Sequence, residues 1–240
     1  MNIVISQSML FPWVGLLEQV KLSDVFVHYD DVQFSKGGFV NRVQIKTSNG
    51  RRWMTIPLSN FHMGLRIDEV VPAPKHLWLN KCIALLKNGF SDAPYADEAI
   101  ELAESVLSQN HENIGQLARQ SLITLVNYFE LDVSTRFLDI SELDAPGSGS
   151  DRVLTVVRNL GGTNYITGHG AANYLDHQKF ESTGISVEYM DYKYSPYPQK
   201  HGAFNPFVSG LDLVANCGIA GKKHICSKTT PWRDYTHEPT

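Results

Sequence analysis

Cysteine is scarce in this sequence. Only Cys82, Cys217 and Cys226 occur among 240 residues, and no two of them stand in a C-x-x-C pair. An odd, scattered set excludes a disulfide framework and a cysteine-built zinc site, and it points to a reducing, cytoplasmic setting. Long apolar runs are also missing. No stretch approaches the roughly 20 residues that span a bilayer, so no membrane span is expected. The opening, MNIVISQSMLFPWVG, lacks the basic and then apolar regions of a signal peptide. Excess positive charge is absent as well. A formal net charge of −4 argues against nucleic acid, because phosphate backbones select basic surfaces. Neither G-x-x-x-x-G-K-[ST], G-x-S-x-G nor H-E-x-x-H occurs, so a P-loop, a hydrolase elbow and a zincin are not indicated. No bound metal or cofactor is expected.

What is present is an α/β rhythm. NIVIS (2–6) reads as a buried strand, the stretch from Val14 as a helix, and VFVHY (25–29) as a second strand. Strand, helix and strand within 30 residues form a βαβ unit and imply a parallel sheet. Residues 39–58 read as a hairpin around Asn49-Gly50. Residues 75–130 carry helical periodicity. The α/β pattern then resumes, with strands at 134–141, 164–168 and 185–192. Helices fall between them at 151–161 and 172–184, and a short helix follows at about 209–217. The reading is one α/β domain over 1–221, with a mostly parallel, Rossmann-like sheet, a β-hairpin and a helical insertion at about 75–130. Residues 222–240 read as a polar, poorly ordered tail.

Open α/β sheets bind ligands beyond the carboxyl ends of their strands, where the strand order reverses. Those ends carry Ser6-Gln7-Ser8, Tyr29-Asp30-Asp31, Ser141-Glu142, Thr167-Gly168-His169-Gly170 and Asp191-Tyr192. Asp30 and Asp31 are candidates for a general base or an ammonium anchor. The plainer reading is a structural ion pair with Arg42. Alternation along a strand gives the two acids different directions. Arg42 presents a planar fork suited to a diphosphate or carboxylate. Gly168-His169-Gly170 offers backbone N–H groups between a strand and a helix, while His169 alone is more often a plain loop histidine. His201, Asp212 and Cys217 would together suit acyl transfer. Against that, a lone cysteine on a short helix is usually a small buried hydrophobe.

Several segments together resemble the WbqC-like family: QSMLFPWVG (7–15), HYDDVQF (28–34), GFVNRVQI (38–45), TIPL (55–58), YITGHGAANYLD (165–176), YPQ (197–199) and SGLDLVANCG (209–218). The family usually has Gln-Pro where this chain has Gln7-Ser8, and a larger aliphatic residue where it has Gly210. The resemblance implies a part in bacterial surface polysaccharide (O-antigen) biosynthesis, on nucleotide-linked amino sugars. It implies motif positions at Gln7, Asp30, Asp31, Gln33, Asn41, Arg42, Gly168, Tyr174, Gln199, Asp212 and Asn216. The opening layout is also similar to HUP-type nucleotide-binding domains, although the paired histidines that those enzymes place on phosphate are missing. The expectation is an enzyme that N-acylates or aminoacylates the amino sugar. Its acyl co-substrate would be a thioester on CoA or on an acyl carrier protein. A glycosyltransferase of the same pathway and a non-catalytic sugar-nucleotide-binding protein are the alternatives, and a homodimer is left open.

Overall fold

The computed structural model describes residues 1–59, 61–131 and 135–236. In chain order its elements are β1 (Asn2–Ser6), α1 (Val14–Leu22), β2 (Val25–His28), β3 (Arg42–Thr47), β4 (Gly50–Thr55), β5 (Leu58–Ser59), β6 (Val71–Pro72), α2 (Leu79–Gly89), α3 (Ala96–Leu107), α4 (Ile114–Tyr128), β7 (Arg136–Asp139), α5 (Gly149–Asn159), β8 (Asn164–Thr167), α6 (His177–Ser182), β9 (Ser186–Asp191), α7 (Gly210–Cys217) and β10 (Lys228–Pro231).

Six strands form the main sheet in the order β10-β9-β8-β1-β2-β7. All its pairings are parallel except β10 with β9, so the fold is α/β with a mixed, mostly parallel sheet. From β1 the chain steps outward to β2 and β7, then returns to β8 on the other side of β1. The order therefore reverses between β1 and β8.

Alternation along the strands divides the core. Ile3 and Ile5 of β1, Val25 and Val27 of β2, and Tyr165 of β8 enter a cluster with α5 and α6. Val4, Phe26 and Ile166 point the other way, into a larger cluster with α1–α4 and α7. The helical middle section thus packs into the same core as the sheet. Asn113 caps α4, its side chain accepting from the Gln116 N–H at 2.9 Å. The hairpin expected there forms between β3 and β4, but it turns through Ser48-Asn49, one residue before the Asn-Gly pair, and Gly50 already pairs with Thr47. Its φ is +89°, where a Cβ would be strained.

Several expected boundaries shift. The strand expected to 141 ends at Asp139, whose side chain accepts from the Ser141 N–H and opens a 3-10 turn; position 134 lies outside the described residues. The helix expected over 172–184 splits into a 3-10 turn at His169–Asn173 and α6, because Asp176 caps a new start with a bond from the Lys179 N–H. In the segment expected to be a poorly ordered tail, Lys228–Pro231 pairs with β9. The Glu18 carboxylate anchors its approach, accepting from the Cys226 N–H and the Ser227 hydroxyl. Positions 237–240 lie outside the described residues.

Candidate functional site

A cavity of about 930 Å³ opens where the strand order reverses. Four strand ends feed it: Ser6 and Gln7 after β1, Tyr29 after β2, Thr167 to Gly170 after β8, and Tyr192 after β9. This is the location that the crossover rule assigns to ligands in open α/β sheets.

The turn after β1 builds one side. Phe11 is fully buried with φ +37°, a conformation that costs a non-glycine residue energy. Its N–H donates to the Ser121 hydroxyl at 2.7 Å, and its carbonyl accepts from the Ser209 hydroxyl at 2.8 Å. These two bonds pin the turn between α4 and α7. Next to it, the Trp13 ring lies across Gly15, where a Cβ would come within 2.3 Å of ring carbons. Only glycine leaves room for the ring there. So placed, Trp13 meets Tyr192 at 4.8 Å and Phe207 at 5.8 Å between centroids. Close packing recurs at Gly210, where a Cβ would sit 2.9 Å from the Pro12 carbonyl oxygen. A larger aliphatic residue there would push α7 away from this turn.

The opposite side is more polar. Gly168 lies beneath a hydrogen bond from the Gln19 amide to the Tyr192 hydroxyl, 2.8 Å long. His169 faces the Met190 carbonyl with Nε2 at 2.8 Å. A carbonyl only accepts, so Nε2 carries a proton, and in the neutral ring the lone pair is on Nδ1. Gly147, Ser148 and Gly149 approach at the start of α5, and Arg152 follows within its first turn. The Arg152 guanidinium donates to both carboxylate oxygens of Asp31, one at 2.9 Å, and lies 5.0 Å from the Tyr29 ring centroid. Burial raises the Tyr29, Tyr174 and Tyr192 hydroxyls above the usual phenol range, so all three are protonated donors at neutral pH.

Of the residues singled out from the sequence, Gln7, Gly168, His169 and Tyr174 line this cavity. Asp31 reaches it through Arg152. Asp30 belongs to a buried network beneath the strand ends. It accepts from the Ser8 N–H at 2.9 Å, the Ser8 hydroxyl at 2.6 Å and Arg119 Nε at 2.7 Å. Since the Ser8 proton goes to Asp30, its oxygen is free to accept from His28 Nδ1–H, 3.0 Å away. Burial pushes the His28 imidazole down to about 4. Arg119 also pairs with Asp139.

Asp212, Gln199 and Asn216 form a second buried network. Asp212 accepts from the Tyr197 hydroxyl at 2.9 Å and the Gln199 amide at 2.8 Å, and burial raises its carboxyl above the ordinary value. Lys46 joins from β3, donating to Gln199 at 2.8 Å and to the carbonyls of Gly202 and Ala203. This knot holds the segment between β9 and α7. His201 Nε2 lies 2.9 Å from the Gly89 carbonyl, and the ring is near enough to act on the Asp212 carboxyl through space. Cys217 ends α7, half-buried, with its thiol raised by burial. Asn41 donates to the Ile56 carbonyl at 2.9 Å, and Gln33 bridges to Arg66. Arg42 donates to the carbonyls of Gly37 and Gly38 and stacks 4.1 Å from the Trp53 centroid. The ion pair weighed between Arg42 and the adjacent acids is therefore not formed; Arg119 and Arg152 take those acids.

Arg152, Gln19, Gln44 and Trp13 were not singled out as site residues from the sequence. Arg152 had one signal, its position in the first turn of a helix that opens with Gly-Ser-Gly. Among the described residues no group of three or more histidines, cysteines or acids could hold a metal, and no helix is long and apolar enough to cross a membrane.

Residues 7–224 match the model of the WbqC-like protein family. The chain is similar to the uncharacterized protein Rv1507c of Mycobacterium tuberculosis, 34% identical over 231 residues that cover 93% of this chain and 97% of that protein. No solved structure matches it.

Proposed function

The chain belongs to the WbqC-like protein family, and from that premise we propose that it is a transferase of bacterial surface polysaccharide (O-antigen) biosynthesis that forms an amide on a nucleotide-linked amino sugar. The observation that carries this is the cavity at the strand-order reversal, which combines aromatic faces, side-chain amides and two glycine loops around one histidine. The strand order supports a Rossmann-like reading of the domain. Tyr192 and Trp13 offer ring faces to a base or sugar, and Gln7 and Gln44 offer amides to sugar hydroxyls. The backbone at Gly147–Gly149 and Gly168–Gly170, with Arg152, suits a diphosphate.

His169 is the general base of this proposal. The neutral amine of the sugar attacks the carbonyl carbon of a thioester carried on CoA or an acyl carrier protein. The C–N bond forms and the C–S bond breaks. His169 Nδ1 takes the proton that the nitrogen loses, and the departing thiolate collects it. Cys217 has no part in the step, because it does not line the cavity.

Purified protein would be mixed with UDP- and dTDP-linked amino sugars and acyl-thioesters, and followed by thermal shift and by mass spectrometry. A sugar nucleotide that raises the melting temperature and yields an amide product is the expected result. If no sugar nucleotide stabilises the protein, the reading fails. Stabilisation without product would favour a non-catalytic sugar-nucleotide-binding protein. That second reading has its own support, since Asp30, Asp212 and Cys217 all lie outside the cavity lining.

A further inference from the structure

Charge is spread unevenly along the chain. Residues 32–67 and 192–211 hold eight of the 21 lysines and arginines and none of the 25 acids. The two stretches meet at the cavity mouth. Phe39, Gln44, Tyr194 and Phe207 line it there, and Lys46 of β3 ties the hairpin to residues 199–203. In a chain of net charge −4, this rim is a basic island in an otherwise acidic molecule. The hairpin turns one face outward. Arg42, Gln44 and Lys46 of β3 stand opposite Thr55, Trp53 and Arg51 of β4, so these six share a face, while Val43, Ile45 and Met54 enter the core. Arg51 donates to the Gln44 amide oxygen at 3.0 Å, and the Arg42 guanidinium lies over the Trp53 ring. Trp53 thus stands between two arginines and is still 40% exposed. Arg42 also donates to the carbonyls of Gly37 and Gly38, which brings the exposed Lys36 to the same corner. Among the described residues none of Lys36, Arg42 and Arg51 is in an ion pair.

The size of this face points to a macromolecule. Its two strands have six residues each, about 20 Å of ladder, and Lys36, Arg51 and Trp53 lie outside the cavity lining. Arginine beside an exposed tryptophan is the composition of protein–protein hot spots. An acid-free basic rim complements an acidic partner and steers it to the mouth. A long polyanion such as nucleic acid would also meet the acidic remainder of the chain. We propose that this face docks an acidic acyl carrier protein, which feeds its thioester arm past Phe39 and Gln44 into the cavity. The proposal rests on the reading of the cavity as an amide-forming site with a thioester donor, and it selects the carrier protein over CoA.

The test titrates the full chain calorimetrically with the purified holo acyl carrier proteins of the source organism, and with CoA for comparison. One carrier protein should bind more tightly than CoA, with an affinity that falls as salt rises from about 50 to 200 mM. Lys36→Glu combined with Arg51→Glu reverses two exposed charges on this face and should weaken that binding about tenfold. Lys81→Glu combined with Arg158→Glu changes the net charge equally on exposed positions of α2 and α5, and should leave it nearly unchanged. The thermal shift from the sugar nucleotide should persist in both variants. Failure of every carrier protein to bind, binding no tighter than that of CoA, or equal loss in the two variants would overturn the docking face if the sugar nucleotide still binds. Self-association, or binding to vesicles of anionic lipid, that the Lys36→Glu, Arg51→Glu variant abolishes would give the face another occupant and overturn it too. If no sugar nucleotide stabilises the unmodified protein, the reading beneath the proposal fails instead.

Discussion

Arg152 holds Asp31 from 121 residues away, donating to both carboxylate oxygens while its guanidinium faces Tyr29 on the cavity wall. The acid thus aims a cation at the ligand space and contacts that space only through it.

Asp31→Asn should therefore weaken sugar-nucleotide binding without unfolding the protein. Loss of one charged, partly buried hydrogen-bonded pair costs about 1.5–3 kcal/mol of stability. Arg152→Lys should not recover binding, because an ammonium cannot reproduce the two-pronged geometry. Urea midpoints and titration calorimetry on both variants check this. Unchanged affinity in Asp31→Asn would remove Arg152 from the ligand site.

Asp30 behaves differently. Its side chain is fully buried and its acceptor sites are taken by Ser8 and Arg119. Asp30→Ala leaves the Arg119 charge short of a partner, and should cost about 3–5 kcal/mol. The expected signature is a large fall in the denaturant midpoint. A stable variant with only its turnover lost would assign Asp30 to chemistry instead.

Stability should fall with acid through His28. Its folded value, about 4, lies below the ordinary 6.5. Between those two values the unfolded chain binds the extra proton, so the folded state is favoured as pH rises. The contribution is fully present above about pH 6.5 and is lost as the pH drops toward 4; it amounts to roughly 3 kcal/mol. Asp139, whose carboxyl is lowered overall despite its burial by bonds from Ser141 and Arg119, acts in the same direction. Unfolding free energies at pH 5 and pH 7 should differ less in His28→Gln than in the unmodified protein.

Gly15→Ala should displace Trp13. The new methyl would occupy the space of the ring, 2.3 Å from its carbons. Tryptophan fluorescence should shift toward the solvent-exposed range, and sugar-nucleotide affinity should fall. Helix propensity alone predicts the opposite sign for stability, since alanine is about 1 kcal/mol better than glycine within a helix. An unperturbed spectrum with unchanged affinity would show that the ring can yield at no cost.

Two substitutions separate base from bystander. Cys217→Ala should keep amide formation within about twofold, whereas His169→Gln should lower kcat by about 10²–10⁴ with little change in sugar-nucleotide affinity. Single-turnover kinetics and calorimetry measure both quantities.

The location of the cavity was readable from the sequence because it depends on local order. A buried strand, a turn and a helix could be seen one after another, and four of the five polar strand ends so identified do line the cavity. The partners of those ends were not readable. Arg119 and Arg152 lie 89 and 121 residues from the acids they hold. Arg42 is close in sequence, and the glycine turn before it consumes its donors locally. Residues 228–231 were missed as a strand for a related reason. Their polar composition carries little periodicity, and the pairing is fixed by β9 and by the distant Glu18. The motif positions do not all gather in one place: the tyrosine, glutamine, aspartate and asparagine of YPQ and GLDLVAN close on one another in a buried knot away from the cavity.

That knot gives the outer wall its mechanics. Lys46 is tied at once to Gln199 and to the backbone of residues 202 and 203, and Gln199 is tied to Asp212 on α7. The hairpin, the segment carrying Phe207 and the last helix are therefore cross-braced like the members of a truss. Widening the mouth by swinging the segment alone would break three charged hydrogen bonds, whereas tilting the hairpin together with it breaks none of them. Any opening on this side moves the whole frame, and the hairpin is its lever arm.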